Sequence, residues 1–299
     1  MRDINPTNIT EAVLETLAKT PDPRLKHLVT RLVHHLHDYA REVKLTPTEW
    51  LAAIKFLTAT GKWSTPERQE MILLSDIMGL SMLVTAMQRR PVAGTTTTSV
   101  IGPFYRDDAP HLPFDGNIAE GEPGETVHCS GRILDVAGKP IANAVLDVWQ
   151  AAADGIYDSQ RADPSPDLRA QFRTDLEGRY SFRTVLPIGY SVPVDGPVGD
   201  FLRALNRHAF RPAHIHFMLH AEGYDELISA LYIDGDPYID SDTVFGVSQS
   251  LVTKVEPASG TGRWPKLRRI RYDFVLANES SASLVETRKV TAAATMPGE

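Results

Sequence analysis

Apolar residues in the first third of the chain repeat at helical spacing. Between about residues 10 and 90 they recur every three or four positions, as at Leu25, Leu28, Val29, Leu32, Val33 and Leu36. This spacing predicts a helix with one apolar stripe. Two more helices are predicted after Thr46-Pro47-Thr48-Glu49 and Ser64-Thr65-Pro66-Glu67, because each places a hydroxyl three residues before Glu with Pro in the first turn. We expect the helical part to end at Arg90-Pro91.

After residues 94–98 the period changes to two, which is typical of strands. The alternating runs are Thr126–Leu134, Ala144–Trp149, Arg179–Leu186, Ala213–Leu219, Leu227–Ile233 and Arg268–Leu276. Short turn sequences separate them, and no second helical pattern is recognised among them. The pattern predicts a mainly β protein, with a helical amino-terminal domain (1–95) and an antiparallel β-sandwich domain (96–299). The tail after Ala277, with Ser280, Ser281 and Ser283, is expected to be partly ordered at best.

Composition narrows the classes of protein that fit. The chain has 299 residues, a net charge of -7 and one cysteine, Cys129. The acidic balance disfavours nucleic acid, and a lone cysteine excludes both an internal disulfide framework and thiolate zinc sites. The first ten residues lack a signal-peptide pattern, so a cytoplasmic location is expected. The most apolar run, Ile77–Val84, is shorter than the roughly 18 residues that span a bilayer, so no membrane span is expected.

Common nucleotide and hydrolase motifs are missing from the sequence. It contains no GxGxxG, GxxxxGK[ST], GxSxG or HExxH. His34, His35 and His37 are interpreted as the polar flank of the first helix, although His34 with His37 or Asp38 is a conceivable metal pair. An acidic segment (Asp234, Asp236, Asp240 and Asp242) lacks the central Gly and final Glu of a calcium loop and is expected to be a solvated turn.

One predicted strand carries two histidines at alternate positions. In residues 211–218, His214 and His216 lie on the same face, about 7 Å apart at Cα. They can share a metal ion, or they can be hydrogen-bonded residues of a half-buried face. His220 lies further along that face, at its rim. Tyr157 and Tyr190 each follow a Gly in a turn, where each can complete a metal site or simply pack.

Tyr157, Tyr190 and Arg211-Pro212-Ala213-His214-Ile215-His216, in this order, resemble the intradiol ring-cleaving dioxygenase family. Residues 101–105, 146–150 and 174–180 also match segments of that family, and the likeness runs from about residue 10 to 276. The resemblance implies one Fe(III) per subunit, held by Tyr157, Tyr190, His214 and His216. It also implies the helical domain and sandwich that the periodicity predicts.

The implied chemistry is consistent with these residue types. A phenol titrates near pH 10, so a strongly Lewis-acidic cation is needed to hold two phenolates at neutral pH, and Fe(III) suits them. By resemblance, Tyr190 leaves the iron when a diol binds and acts as its base, while Arg211 stabilises the ketonised substrate. Without the resemblance, Arg211 is equally consistent with an exposed ion pair. Both atoms of O2 enter the muconate product.

Residues 73–76 and 99–104 resemble the hydroxyquinol-cleaving branch of the family. Asp76 can accept a hydrogen bond from the third hydroxyl of the substrate. Cleavage of that substrate gives maleylacetate in its enol form, 3-hydroxy-cis,cis-muconate. Alternatively, Asp76 caps a turn or pairs with a base, and the substrate is catechol or a substituted catechol. The remaining expected pocket wall is Leu73, Val100, Ile101, Gly102, Pro103, Phe104, Val192, Pro193 and Val244. Ala230 stands where many relatives carry glutamine, which leaves details of substrate orientation open.

The resemblance also implies partners. The expected partners are a small aromatic diol or triol and O2, a second copy bound through the amino-terminal helices, and a lipid in an apolar groove between those helices. The sequence itself shows only the apolar stripes. The alternative from another class is a non-enzymatic sandwich that binds aromatics or a protein and uses the two histidines for structure alone.

Overall fold

The computed structural model describes residues 2–65, 68–88, 92–163 and 165–279. Their α-helices are α1 (Ile9–Thr16), α2 (Pro23–Glu42), α3 (Pro47–Trp63), α4 (Glu70–Ile77), α5 (Leu80–Gln88) and α6 (Pro197–Ala204). Several positions named above lie outside the described residues: Pro66, Glu67, Arg90, Pro91, Ser280, Ser281 and Ser283. None of the single helices described is long and apolar enough to cross a bilayer. Helices α4 and α5 reach that length and composition only together, across a 77° bend.

Helices α2 and α3 form where the sequence predicts them. The Asp22 side chain caps α2 by accepting from the backbone N–H of Arg24 at 2.7 Å. At α3, Thr46 N donates to Glu49 Oε2 at 2.9 Å and Glu49 N donates to Thr46 Oγ1 at 3.3 Å, which is a complete capping box. The stripe on α2 is not covered within one chain, since Leu25, Leu28, Leu32 and Leu36 are 49–56% exposed.

The next helix starts later than predicted. Part of the capping box predicted from Ser64 to Glu67 lies outside the described residues; Thr65 Oγ1 accepts from Arg68 N at 3.1 Å, and α4 begins at Glu70. Arg68 is held there by Asp195, at 2.8 Å. The helix then breaks at Gly79, whose φ of +73° lies in the left-handed region. The helix predicted after residues 64–67 is therefore followed by a second short helix rather than continuing.

The strands form two facing sheets. They are β1 (Gly116–Asn117), β2 (Thr126–Asp135), β3 (Val145–Trp149), β4 (Arg169–Arg173), β5 (Arg179–Val185), β6 (Tyr190–Ser191), β7 (Phe210–Arg211), β8 (His214–His220), β9 (Leu227–Ile233), β10 (Val252–Thr253), β11 (Arg268–Arg271) and β12 (Phe274–Leu276). One sheet has the order β1-β5-β2-β11, with β12 also on β2, and the other has the order β10-β9-β8-β3-β4. β6 pairs with β7. The predicted mainly β sandwich is confirmed.

Pairing between the long strands is antiparallel, as predicted. β2 pairs with β5, and β8 pairs with both β3 and β9 in this way. The short strands β1, β10, β11 and β12 pair parallel to their neighbours instead. Each has at most four residues, so the parallel pairs need few hydrogen bonds.

Alternation along β8 positions the two histidines. Ile215, Phe217 and Leu219 enter the core between the sheets, together with residues of β2, β3, β4 and β5. His214 and His216 therefore lie on the opposite face of the same sheet. Trp149 of β3 is in register with His216.

Several features were not predicted, among them the short strands β1, β6, β7 and β10. Strand β4 was missed, and α6 contradicts the expectation that no helix interrupts the strands; its signals are Pro197 at the first helical position and apolar residues at 198, 201 and 202. The last predicted run divides into β11 and β12. There the Tyr272 carbonyl approaches Gly131 so closely that no Cβ would fit, and Arg132 N donates to Asp273 Oδ1 at 2.8 Å.

The chain packs as two compact units, Met1–Ala59 and Thr60–Glu299. Helices α4 and α5, which the sequence analysis assigned to the amino-terminal domain, belong to the unit that contains the sheets. A dimerisation domain ending at residue 95 stays a prediction. All of the candidate site residues lie in the second unit.

Candidate active site

The four candidate ligands meet in one buried cluster. Tyr190 Oη lies 3.4 Å from Tyr157 Oη, and His214 Nε2 lies 3.1 Å from His216 Nε2. The rings of Tyr190 and His214 are 5.5 Å apart between centroids. All four side chains are buried. The structure thus joins residues that are separated by up to 59 positions in the sequence.

The two imidazoles are neutral. His214 Nδ1 lies 2.6 Å from the carbonyl oxygen of Pro212, which can only accept, so Nδ1 carries the proton and Nε2 carries a lone pair. Burial lowers the pKa of both histidines well below the usual value, and the nearby charge of Arg211 lowers it further. The Trp149 ring lies parallel to the His216 ring, with centroids 4.8 Å apart, and fixes its plane.

The two phenols differ in their surroundings. Burial raises the pKa of Tyr157 well above its usual value, and the neighbouring Tyr190 raises it further. Burial also raises the pKa of Tyr190, but the charge of Arg211 opposes that rise. The charge of Arg211 also opposes the rise for Tyr157, but only Tyr190 is in addition hydrogen-bonded to Arg211, which favours its phenolate.

Arg211 is a buried cation. Only 2% of its surface is exposed. Its Nε donates to Asp242 Oδ1 at 3.1 Å, its Nη2 donates to Tyr232 Oη at 3.2 Å, and its Nη1 lies 3.1 Å from His214 Nε2. Burial disfavours its charge, but Asp242 and the nearby phenols outweigh burial and raise its pKa well above the usual value. The alternative of an exposed ion pair is therefore wrong.

Asp242 is buried too, so the expectation of a solvated acidic turn is wrong for this residue. Besides Arg211, it accepts from the backbone N–H groups of Val244 at 3.3 Å and Gly246 at 3.0 Å. The backbone of the turn thus holds the Asp242 carboxylate in place independently of Arg211. Asp234 and Asp240 are exposed, as expected.

A second buried ion pair lies behind Tyr157. Arg169 Nε donates to Asp158 Oδ2 at 2.6 Å, and Arg169 Nη2 donates to the carbonyl of Phe104 at 3.2 Å. Phe104 stacks on Tyr157 with centroids 4.6 Å apart. The guanidinium of Arg169 therefore links Asp158 to the backbone of Phe104, whose ring packs against Tyr157.

Gly155 and Gly102 permit close approaches in the cluster. Both have φ in the left-handed region, at +81° and +75°. A Cβ on Gly155 would lie 2.9 Å from Tyr190 Cβ, and one on Gly102 would lie 3.6 Å from His216 Nε2. The turn before Tyr157 thus packs directly on Tyr190, and the backbone at residue 102 lies against the second histidine.

Most of the expected pocket wall assembles near the cluster. Leu73, Val100, Val192 and Val244 pack in one apolar group, and Ile101 packs against the group that contains Phe104 and both tyrosines. Pro193 is buried and Pro103 is half-buried; no side-chain contact places either of them in the wall. Ala230 is buried and lies directly opposite His216 in the β8–β9 register.

Asp76 is a buried carboxylate with a free oxygen. It is 2% exposed, and its Oδ1 has no hydrogen-bond partner among the described residues. Burial raises its pKa, while a hydrogen bond from Ser81 and the charge of Arg211 lower it. A buried acceptor without a partner is costly, so this oxygen is suited to a ligand hydroxyl. The alternative of a helix-surface ion pair is wrong.

Sequence reasoning missed four residues that support the site: Trp149, Asp158, Arg169 and Tyr232. Trp149 alternates with the core residues of β3, so its position on the histidine face of the sheet could have been inferred. Tyr232 pairs with His214 across β8 and β9. The Asp158–Arg169 pair carries no local signal, because its partners lie on different elements.

Comparison with known proteins identifies the family. A model described as "Catechol dioxygenase N terminus" matches residues 22–96, and one described as "Dioxygenase" matches residues 100–278. The chain is 45% identical to 6-chlorohydroxyquinol 1,2-dioxygenase of Cupriavidus pinatubonensis, over 92% of this chain and 99% of that protein. It is 42% identical to hydroxyquinol 1,2-dioxygenase of Rhizobium sp., over 89% and 94% of the two chains.

Solved structures agree with the sequence relatives. Hydroxyquinol 1,2-dioxygenase from Pseudomonas putida DLL-E4 superposes with a TM-score of 0.83 at 42% identity, covering 92% of this chain and 99% of that one. Catechol 1,2-dioxygenase from Pseudomonas arvilla C-1 superposes with a TM-score of 0.81 at 26% identity, covering 93% and 94%. The predicted enzyme class is confirmed. The chain belongs to the intradiol ring-cleavage dioxygenase family.

Proposed function

We propose that this chain cleaves hydroxyquinol between its two adjacent hydroxylated carbons, using Fe(III) and O2. Both oxygen atoms enter the product, 3-hydroxy-cis,cis-muconate, which is the enol form of maleylacetate. The observation that carries the proposal is the unpartnered Oδ1 of buried Asp76. Relatives named for hydroxyquinol and chlorohydroxyquinol, at 42% and 45% identity, support the same choice of substrate.

Tyr157, Tyr190, His214 and His216 are proposed as the iron ligands. No group of three His, Cys, Asp or Glu side chains in the described part of the chain is placed to hold a metal, so a metal at this cluster requires the tyrosine oxygens. Two neutral imidazoles and two buried phenols fit a strongly Lewis-acidic cation, which alone would displace both phenol protons at neutral pH. When bound, Fe(III) would acidify the hydroxyls of a chelating diol and make its ring reactive toward O2.

Tyr190 is proposed to accept a proton from the diol. Its Oη is within 3.4 Å of Tyr157 Oη, and Arg211 stabilises its deprotonated form. Tyr157 is also near the charges of Arg211 and Arg169, but burial and Tyr190 outweigh them and raise its pKa well above the usual value. This difference favours Tyr190 as the phenol that would release a metal ion and take the proton, with Tyr157 retained.

Arg211 is proposed to stabilise negative charge that moves onto the substrate ring and its ketonising oxygen. The guanidinium is pinned by Asp242 and Tyr232, so it does not have to reorganise when charge develops. Its contact with His214 Nε2 places the positive charge at the metal ligands themselves. A pre-oriented cation in a water-poor site acts more strongly than one in solvent.

Asp76 is proposed to select the third hydroxyl. A substrate without that hydroxyl leaves a buried carboxylate unpaired, and discrimination of this kind can exceed that from shape alone by orders of magnitude. The apolar group of Leu73, Val100, Val192 and Val244 offers nothing to a ring carboxylate. Among the expected wall residues, only Arg211 is basic.

The test is oxygen uptake by iron-loaded protein with hydroxyquinol, catechol and protocatechuate, corrected for autoxidation of hydroxyquinol. We expect uptake with hydroxyquinol, and a shift of the kcat/KM ratio toward catechol in Asp76→Leu. Asp240→Asn, an exposed carboxylate in the same unit, is the control and keeps the wild-type ratio. Preference of the wild type for catechol would refute the role of Asp76. Failure to consume O2 with any diol would refute the enzymatic proposal in favour of a binding protein.

The amino-terminal helices are proposed to pair two chains, with an apolar groove that holds lipid. The exposed leucines of α2 support this, since a contiguous apolar stripe is rarely left to water. Light scattering is expected to give twice the chain mass of 33.0 kDa, and Leu28→Glu with Leu32→Glu is expected to give the monomer. Lipid is checked by mass spectrometry of an organic extract. A wild-type monomer would refute the pairing.

A further inference from the structure

A cavity of about 990 Å³ lies on the outer face of the sheet that contains β5, β2 and β11. None of the four candidate iron ligands lines it. Val127, Cys129, Phe182 and Ile270 of these strands point into the sandwich core, so the side chains between them point outward. Those outward side chains, except Arg183, line the cavity and form its floor.

The outward side chains form two rows across three neighbouring strands. Arg183, His128 and Arg269 are in register in one row. Ser181, Ser130 and Arg271 are in register in the next. Basic groups so close on one face of a sheet repel each other, so the arrangement is unfavourable unless anions accompany it.

Arginines outnumber carboxylates in the cavity lining, where the carboxylates are Asp115, Asp175, which pairs with Arg179 at 2.7 Å, and Asp273. Glu256 is shared by Arg269, at 3.3 Å, and Arg271, at 3.8 Å. Asp115 pairs at 2.9 Å with Arg263, which is at the rim and mostly exposed, and it also accepts from Ser181. Neither carboxylate is within ion-pair distance of Arg183 in the described structure.

Three buried N–H donors around this floor are unsatisfied. Arg183 Nε, Arg269 Nε and Trp264 Nε1 have no hydrogen-bond partner among the described residues. The guanidinium of Arg183 lies 4.2 Å from the centre of the Trp264 ring, and Trp264 lines the cavity. Buried donors of this kind normally have partners, and two of the three belong to residues that line the cavity, Arg269 and Trp264.

We propose that this cavity binds a small oxyanion ligand, a carboxylate or phosphate, at a site separate from the active site. The unsatisfied groups are all hydrogen-bond donors, and planar guanidinium groups match the oxygens of a carboxylate or a phosphate. The aromatic residues Phe114, Tyr180, Trp264 and Tyr272 provide apolar surface for a carbon skeleton. The volume lies at the upper end of the range of small-molecule pockets.

Phosphate and a planar dicarboxylate share this chemistry and are tested separately. Iron-loaded full-length protein is titrated calorimetrically with inorganic phosphate or with maleate at low ionic strength, against chloride at matched ionic strength. We expect one saturable site per chain for at least one of the two probes. The quenching of Trp264 fluorescence is expected to follow the same curve and to be lost in Trp264→Phe, while the heat signal remains.

Two variants shift the affinity in opposite directions. Arg269→Gln is expected to weaken binding by at least about tenfold, or roughly 1.4 kcal/mol. Glu256→Gln removes a competing carboxylate and is expected to strengthen binding. Ring cleavage by both variants is expected to match the wild type, which shows that they fold. If Arg269→Gln does not fold, Arg271→Gln, whose side chain is 59% exposed, tests the same weakening.

Three results would overturn the site. One is the absence of saturable binding of both probes below about 10 mM. Another is equal affinity in the wild type and all variants, which would place the anion elsewhere, including at the active site. The third is weaker binding in Glu256→Gln. Because the readout is binding, anion binding can be absent while ring cleavage is intact. Anion binding can likewise be found when ring cleavage is absent.

Discussion

Replacing Asp242 by asparagine tests how far the charge of Arg211 depends on its buried partner. The asparagine keeps the shape and one acceptor oxygen but removes the negative charge. Asp242 accepts from Arg211 Nε at 3.1 Å and from Arg211 Nη2 at 3.3 Å, and the turn holds it through Gly246 N at 3.0 Å. We therefore expect the variant to fold with the same turn. The guanidinium of Arg211 is expected to lose part of its hydrogen bonding and to shift.

The magnitude follows from those two hydrogen bonds. Bonds to charged groups contribute about 1.5–3 kcal/mol each and neutral bonds about 1 kcal/mol. Weakening one bond and losing the other corresponds to a loss of about 2–5 kcal/mol in the free energy of unfolding. That range overlaps the roughly 3–5 kcal/mol measured when one member of a buried pair is removed. For a unit of this size it lowers Tm by about 4–20 °C.

Activity is expected to fall for the same reason. Arg211 Nη1 is 3.1 Å from His214 Nε2, so a shifted guanidinium moves charge relative to the proposed iron ligands. We expect kcat to fall by about 10- to 1000-fold, comparable to loss of one preorganised donor, with a smaller change in KM. A change in the visible phenolate-to-iron band is expected as well, because Tyr190 adjoins Arg211.

The control is Asp240→Asn on the same turn, where the carboxylate is exposed. It removes the same charge without touching Arg211, and its Tm and kcat are expected to equal those of the wild type. Calorimetry gives the stability and oxygen uptake gives the rate. Wild-type Tm and kcat in Asp242→Asn would show that the pair neither stabilises the fold nor positions Arg211.

Three further predictions concern the same cluster. Tyr157→Phe is expected to lose iron and the visible band, as measured by metal analysis of purified protein; an undiminished band would remove Tyr157 from the ligand set. Ala230→Gln places a larger polar side chain opposite His216 at a fully buried position, and overpacking is expected to lower the free energy of unfolding by about 1–3 kcal/mol, measured in urea; unchanged stability would contradict that packing. In metal-free protein the pKa of His216 is lowered, so the unfolded chain takes up the proton at a higher pH than the folded protein does. The free energy of unfolding is therefore expected to fall as the pH drops below about 6.5, by up to about 1.4 kcal/mol per pH unit for this group. An equal slope of Tm against pH in His216→Asn would contradict this prediction.

The sequence predicted the parts of the fold that depend on local periodicity. Alternation along residues 213–219 was sufficient to place His214 and His216 on one face, because strand geometry fixes that relation within a few residues. The capping box at Thr46 and Glu49 has the same local character. The same method missed α6, whose eight residues are too few for a helical period to stand out.

Contacts between distant segments were beyond periodicity. Asp242 was assigned to a solvated turn because its acidic neighbours suggest solvent, whereas its partner Arg211 lies 31 positions earlier. Likewise, Ser64 lies three residues before Glu67 as in a capping box, but α4 begins only at Glu70, after Arg68 has formed its long-range ion pair with Asp195. Each of these errors occurs where a long-range charge pair outweighs a local preference of less than about 1–2 kcal/mol.

Substrate selection and chemistry are coupled through charge in this site. Asp76 is affected by both members of the Arg211–Asp242 pair: Arg211 lowers its pKa and Asp242 raises it. A hydroxyl that donates to Asp76 offsets part of the desolvation of that carboxylate, and so strengthens the negative charge that faces Arg211. The same guanidinium stabilises the phenolate of Tyr190, the proposed base. A substrate with the third hydroxyl would therefore alter the electrostatic environment of Arg211, the proposed catalytic cation, and not only the fit of the ring.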